Sequence, residues 1–162
     1  MKRIKLSNAN KYTIVDDEDY ERAKAHIWRM QKAKDRFYVS TAIKNPDGKW
    51  RYMAMHRFIM GLTKDDRTLV DHRDGNGFNN RKSNLRLATT IQNAMNKKTP
   101  ASNTSGYKGV WWDRDKERWK SEIKVDGKKI CLGSFSDKRS AAKAYNSAAR
   151  KYFGEFAKLN KV

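Results

Sequence analysis

The sequence predicts an α+β chain of two small modules. The first carries a polar motif behind a short strand-rich N-terminal region, and the second is a small three-stranded antiparallel sheet plus one helix. Three observations support this. Period-two alternation with turn signals marks short strands in both halves. One alanine-rich stripe at helical spacing follows the last strand. Between the halves, residues 97–106 (KKTPASNTSG) are small, polar and broken by Pro, as linkers are. The expected boundaries are residues 1–98 for the first module, with its motif core at 55–96, then a linker at 99–106, then residues 107–162.

Taken in order, residues 11–15 and 37–42 read as strands, and Asp47-Gly48 supplies a turn. The run Asp16-Asp17-Glu18-Asp19 invites a metal-site reading. No ligand cluster accompanies it, and a helix N-terminus favours negative charge, so a helix start is expected there. Residues 53–60 suit a short buried helix or strand, and periodicity does not choose between them. His26, near Trp28, reads as structural.

In the second module, Val110 and Trp112 fall on the core parity of a strand at 107–113. Trp119, Ser121, Ile123 and Val125 alternate with Lys120, Glu122 and Lys124. Asp126-Gly127 is a type I′ hairpin signal, after which Ile130 and Leu132 point one way and Lys129 and Cys131 the other. Ser136 or Asp137 caps a helix whose stripe is Ala141, Tyr145, Ala148 and Tyr152, ended by Gly154.

Charge narrows the function. The 162 residues carry 37 Lys+Arg against 18 Asp+Glu, a formal charge of +19 with mean hydropathy −1.00. Both halves share it: 22 basic against 11 acidic side chains in residues 1–100, and 15 against 7 in residues 101–162. A basic tail on a neutral domain is excluded, and the aromatic content argues against a disordered polycation. Basic and aromatic together point to nucleic acid. No apolar run approaches the roughly 18 residues of a membrane span, and the N-terminus has no apolar signal stretch, so a cytoplasmic protein without a membrane partner is expected. One cysteine, Cys131, and histidines scattered at 26, 56 and 72 leave no structural zinc site.

The densest chemistry runs from Val70 to Arg86 (VDHRDGNGFNNRKSNLR) and on to Gln92-Asn93. A calcium loop fails: counted from Asp71, Arg73 and Lys82 stand where ligands belong, and counted from Asp74 the last position is Leu85. Asn and Asp as turn formers explain Asp74-Gly75-Asn76-Gly77 but not a neighbouring Asp-His pair. A histidine beside a carboxylate, then a turn, then a helix bearing an Asn, suits one base and two oxygen ligands around a hard cation. Phosphodiester hydrolysis uses those parts.

The segments MHRFIMG, VDHRDGNGFNNRKSNLR and IQNAMN closely resemble the HNH endonucleases of phage and intron homing type, which have a ββα-metal fold. The resemblance implies His72 as general base, Asp71 and Asn93 as ligands of Mg²⁺ or Mn²⁺, and Asn84 as the catalytic-motif Asn bracing the histidine's loop. It also implies DNA contacts at Asn80, Arg81 and Arg86, and a packing or phosphate role for His56 in the "HR" pair with Arg57. The Cys pairs of zinc-bearing branches are absent.

The segment YKGV through WKSEIK, LGSF and AAKAYNSAA to GEFAKLN resembles the DNA-binding domain of plant ethylene-response transcription factors. That family reads the major groove with its sheet. Trp111 and Asp113 stand where basic residues are usual, and Cys131 where Trp is usual. The face expected on DNA carries Lys108, Trp111, Lys120, Glu122, Lys124 and Lys129, with Arg114 added.

The expected function is a metal-dependent endonuclease of double-stranded DNA, homing or free-standing and phage-type, acting in the host cytoplasm and targeted by the second module. One site makes one cut per binding event, so a monomer nicks, and a double-strand break needs a homodimer or a second event, with monomer and homodimer equally open. The alternative is a non-catalytic DNA-binding regulator on a decayed nuclease scaffold, with RNA binding third.

Overall fold

A computed structural model describes residues 1–33, 36–44, 47–63, 65–96, 99 and 102–162. It forms two compact units, Met1–Thr90 and Ile91–Val162. The division falls ahead of the expected linker. Of that linker and the residues before it, 97, 98, 100 and 101 lie outside the described residues.

The first unit opens with a two-stranded antiparallel ribbon, β1 (Lys2–Lys5) and β2 (Tyr12–Val15). The acidic run starts helix α1 (Asp17–Lys24), with Asp17, Glu18 and Asp19 in its first turn. Arg22 donates twice to Asp19 Oδ1, at 2.9 and 2.7 Å, and once to the Ile59 carbonyl at 2.7 Å, which fastens α1 to helix α2 (Met55–Ile59). Strands β3 (Arg29–Ala33), β4 (Arg36–Lys44) and β5 (Trp50–Ala54) form an antiparallel meander with β4 in the middle. The stretch whose period was undecided is therefore both, since β5 ends at Ala54 and α2 begins at Met55. Strands β6 (Leu69–His72) and β7 (Leu85–Ala88) pair antiparallel, with a 3-10 turn at Lys82–Asn84 between them. The core is Leu6, Val15, Trp28, Val39, Met55, Ile59 and Leu85. His26 packs edge-on against Trp28 and Phe58.

Helix α3 (Thr90–Met95) follows β7 and crosses into the second unit. There β8 (Val110–Asp113), β9 (Arg118–Val125) and β10 (Lys128–Phe135) form an antiparallel sheet with β9 central, followed by helix α4 (Lys138–Phe153). Asp126 and Gly127 both have positive φ, 47° and 80°, as the β9–β10 turn requires. The Asp137 carboxylate caps α4 by accepting from the Arg139 and Ser140 amides at 2.9 Å. Ala141, Ala142, Tyr145, Ala148, Ala149 and Phe153 are buried against Val110 and Ile123. The alanines bring the helix close to the sheet. Gly109 is what the Tyr145 ring demands: a Cβ there would stand 2.2 Å from Cδ2.

Two expectations are corrected. Tyr152 is 40% exposed, because the row Tyr145–Ala149–Phe153 faces the sheet and Phe153 takes the last turn. Trp112, on the outer strand β8, keeps its parity but is 43% exposed, its ring edge-on to Trp119 of the central strand with centroids 5.1 Å apart. Residues 102–106 are also folded rather than loose: Ser105 Oγ donates to the carbonyls of Tyr107 and Val110 and is buried.

Candidate nucleic-acid cleavage site

The centre of the first unit is the loop between β6 and β7. Asp71 and Arg86 are register partners across the two strands. The Arg86 Nε and Nη2 both donate to Asp71 Oδ2, at 3.0 and 2.7 Å, and both side chains are buried. His72, at the end of β6, is 5% exposed, and its Nε2 lies 3.1 Å from Asn80 Oδ1.

The orientation of Asn80 fixes the tautomer of His72. Its Nδ2 donates to the Gly77 carbonyl at 3.2 Å, and a carbonyl only accepts, so Oδ1 must face the imidazole. A neutral His72 then carries its proton on Nε2, which leaves Nδ1 as the unprotonated ring nitrogen. Burial holds the His72 pKa below the usual histidine value, against the upward pulls of the Asn80 bond, Asp74 and Asp71, and Arg36 adds to the lowering. His56 packs edge-on to His72, centroids 5.2 Å apart, and is held at about 3 by burial, by His72 and by Arg57. Both imidazoles are neutral at physiological pH.

Hydrogen bonds centred on Asp74 hold the loop. Its Oδ1 accepts from the Asn76 amide at 2.8 Å and from Asn84 Nδ2 at 3.0 Å, and its Oδ2 accepts from Asn79 Nδ2 at 2.9 Å. Burial pulls the Asp74 pKa up, but these bonds outweigh it and hold the carboxyl below the usual range. Asn84 also accepts from the Asp74 amide and donates to the Asn79 carbonyl. From outside, β2 clamps residues 78–80. The Ile14 amide donates to the Phe78 carbonyl, the Asn80 amide donates to the Ile14 carbonyl, and Thr13 Oγ1 accepts from Asn80 Nδ2 at 2.9 Å. Gly77 lies so close to β4 that a Cβ would meet the Phe37 carbonyl oxygen at 2.1 Å.

The structure thus brings Asp71, His72, Asn80 and Asn84 together in one unit. Asn93 is half-buried on α3 and belongs to the second. Several expected DNA contacts are corrected. Asn80 is 1% exposed and holds His72 instead. Arg86 is turned inward to Asp71. Arg57 donates to the carbonyls of Thr63, Asp66 and Thr68, so it staples the connection after α2. His56, for which packing and phosphate contact were both open, packs edge-on to Tyr38 and His72. Arg81 is half-buried and donates to Asn79 Oδ1 at 3.0 Å. Sequence reasoning missed Thr13 and Asp74. Asp74 was visible only as a turn former, and no local signal links Thr13 to the motif.

In the second unit, alternation puts Trp111, Lys120, Glu122, Lys124 and Lys129 on the face away from α4. Lys124 and Lys129 are exposed cross-strand partners, and Trp111 is 39% exposed. Arg114 is exposed in the β8–β9 turn. Lys120 pairs with Asp113 at 2.6 Å, and Lys129 lies 3.5 Å from Glu122. Lys108 leaves the expected set. Its Nζ donates to the Met95 carbonyl at 2.6 Å, and burial, with Lys158 nearby, lowers its pKa to about 8. Asn160 closes this unit by accepting from the Lys108 amide and donating to the Lys108 carbonyl.

No helix among the described residues is long and apolar enough to cross a membrane. No protein-family model matches the chain, and no solved structure matches it. The chain is homologous to a viral protein named as an HNH endonuclease and to plant AP2-like transcription factors. It is 37% identical over 114 residues to uncharacterized HNH endonuclease L560 of Acanthamoeba polyphaga mimivirus, covering 68% of this chain and 58% of that protein. It is 43% identical over 63 residues to the AP2-like ethylene-responsive transcription factor TOE2 of Arabidopsis thaliana, covering 39% of this chain and 13% of that protein. It is 39% identical over 90 residues to Protein 3.8 of Escherichia phage T7, covering 56% of this chain and 74% of that protein. The chain belongs to the family of phage T7 Protein 3.8.

Proposed function

We propose that the chain is a metal-dependent endonuclease of double-stranded DNA, in which the second unit's sheet face selects where the first unit cuts. The observation that carries this reading is the buried, neutral His72 imidazole, whose Nε2 is held by Asn80 Oδ1 at 3.1 Å. His72 Nδ1 takes the proton of the attacking water, and the Nε2–H···Oδ1 bond to Asn80 holds the ring in aim as it becomes imidazolium. Asn84 and Asp74 keep the loop from yielding.

Among the described residues no three His, Cys, Asp or Glu side chains cluster as a metal site. The resemblance names Asp71 and Asn93 as metal ligands, and a carboxylate and a carboxamide oxygen are each hard donors of the kind Mg²⁺ or Mn²⁺ takes. Such an ion supplies positive charge to the scissile phosphate and the leaving oxygen. One base serves one strand, so a monomer nicks and a homodimer breaks both strands.

One observation favours a second reading. The guanidinium of Arg86 already neutralises Asp71, as suits a DNA-binding protein that does not cut. Supercoiled plasmid incubated with and without Mg²⁺ decides between them. Relaxation that needs the metal and is lost in His72→Ala supports the nuclease, and DNA binding without relaxation supports the other.

A further inference from the structure

The open face of the β3–β4–β5 sheet is unused by any role given above. Register places Arg29, Gln31 and Ala33 of β3, Arg36, Tyr38, Ala42 and Lys44 of β4, and Trp50 and Tyr52 of β5 on one side. The core residues Val39 and Met30 lie on the other. Trp50 is 68% and Tyr52 73% exposed, which is unusual for rings of that size without a partner. Lys44 stands opposite Trp50 across the ladder, and Arg29 and Arg36 share the face. No acidic side chain is present on that face among the described residues of the three strands.

The face leads to the cleavage site. The Tyr38 ring packs edge-on to His56 at 5.9 Å, His56 packs on His72, and the charge of Arg36 is felt by His72. From Arg36 to Lys44 the strand runs about 26 Å at roughly 3.3 Å per residue, room for several nucleotides. Rings on alternate positions of an open sheet, flanked by cations and free of acids, suit a polyanion that also offers flat π-faces. A paired duplex hides those faces in its stack, and an unpaired strand presents them.

We propose that this sheet face is a stacking platform for an unpaired DNA strand, with Trp50 and Tyr52 each taking a base and Arg29, Arg36 and Lys44 meeting phosphates. It rests on the endonuclease reading only in making that strand continuous with the one being cut.

The test uses full-length His72→Ala protein in excess chelator, so that no cleavage occurs, with labelled single-stranded and duplex oligonucleotides of one sequence. Replacing Trp50 and Tyr52 together by Ala should weaken single-strand binding about tenfold or more while duplex affinity holds. Tyr52→Phe, which keeps the ring, should bind like its parent. Trp50→Ala should abolish the part of the tryptophan quenching that single strands cause. Unchanged single-strand affinity overturns the proposal, and so does an equal loss on duplex, which would make the face a duplex contact. A dimer that becomes monomeric with DNA affinity intact also overturns it, since the face would then join two copies. A failed plasmid assay leaves all of these outcomes unaffected, because they measure binding alone.

Discussion

Asn80 Oδ1 lies 3.1 Å from His72 Nε2, and Asn80 is itself oriented by Thr13 and the Gly77 carbonyl. A side chain with no reach to substrate therefore decides which nitrogen of the histidine is basic. Asn80→Ala should lower the single-turnover cleavage rate about 10- to 100-fold, in the range seen when a group that orients a functional histidine is lost. His72→Ala should lower it about 10²- to 10⁴-fold. Neither should change DNA affinity much, which anisotropy checks, because phosphate contacts dominate ground-state binding.

The metal assignment makes a separate prediction. Asp71→Ala and Asn93→Ala should each raise the Mg²⁺ concentration for half-maximal cleavage, Asp71→Ala more because it removes a charge. Titrating Mg²⁺ against the initial rate measures this. Cleavage that persists in excess chelator would remove the metal from the mechanism.

Acid should loosen the first unit through His56. Its native pKa of about 3 lies below the ordinary value of 6.5, with His72, Tyr38 and Arg57 facing it. The unfolded chain takes up the proton first, so stability falls as pH drops from 6.5 towards 3. At pH 5 the loss amounts to about 2 kcal/mol from this group alone. Urea midpoints at pH 7 and pH 5 should show it, and His56→Phe should flatten the dependence.

Gly77→Ala should unfold the motif loop at lower urea than the parent, because its Cβ would collide with the Phe37 carbonyl and the β4 backbone must shift. A cost of about 1–3 kcal/mol is typical of such overpacking. A thermal melt of the variant decides it.

In the second unit, Ile123→Ala should open a cavity under α4 and cost about 2–5 kcal/mol. Lys124→Ala, on the opposite face, should leave the melt unchanged and lower the salt slope of duplex binding by about one unit if it meets phosphate. Equal duplex affinity and slope in Lys124→Ala would move the reading surface elsewhere.

Local chemistry was legible in the sequence where one residue type admits one conformation. Asp126-Gly127 turns, Gly154 ends α4, and the acidic run starts α1, each for reasons that act within a few residues. Strand parity was legible as well, since Ile123 is buried while Lys124 is exposed. What periodicity does not carry is the partner. Lys108, Arg57 and Arg86 are cations in a strongly basic chain, so each reads as a phosphate contact. Each instead satisfies an acceptor of its own chain: a helix-end carbonyl, three loop carbonyls and a buried carboxylate. Asn80 was visible as a turn residue, but its role depends on Thr13, and no window of sequence spans that distance.

The clamp of β2 on residues 78–80 sets a limit on inheritance. Residues 55–96 hold the whole recognisable signature, yet the strand that orients the base's partner lies at the far N-terminus. A recombination event that moved the signature alone would graft the histidine and leave behind Thr13 and Ile14, which hold its loop. A piece that keeps the motif and its clamp together therefore has to run from β1 through α3, residues 1–96, and swaps drawn at the edges of the motif should yield proteins with every named residue and little activity.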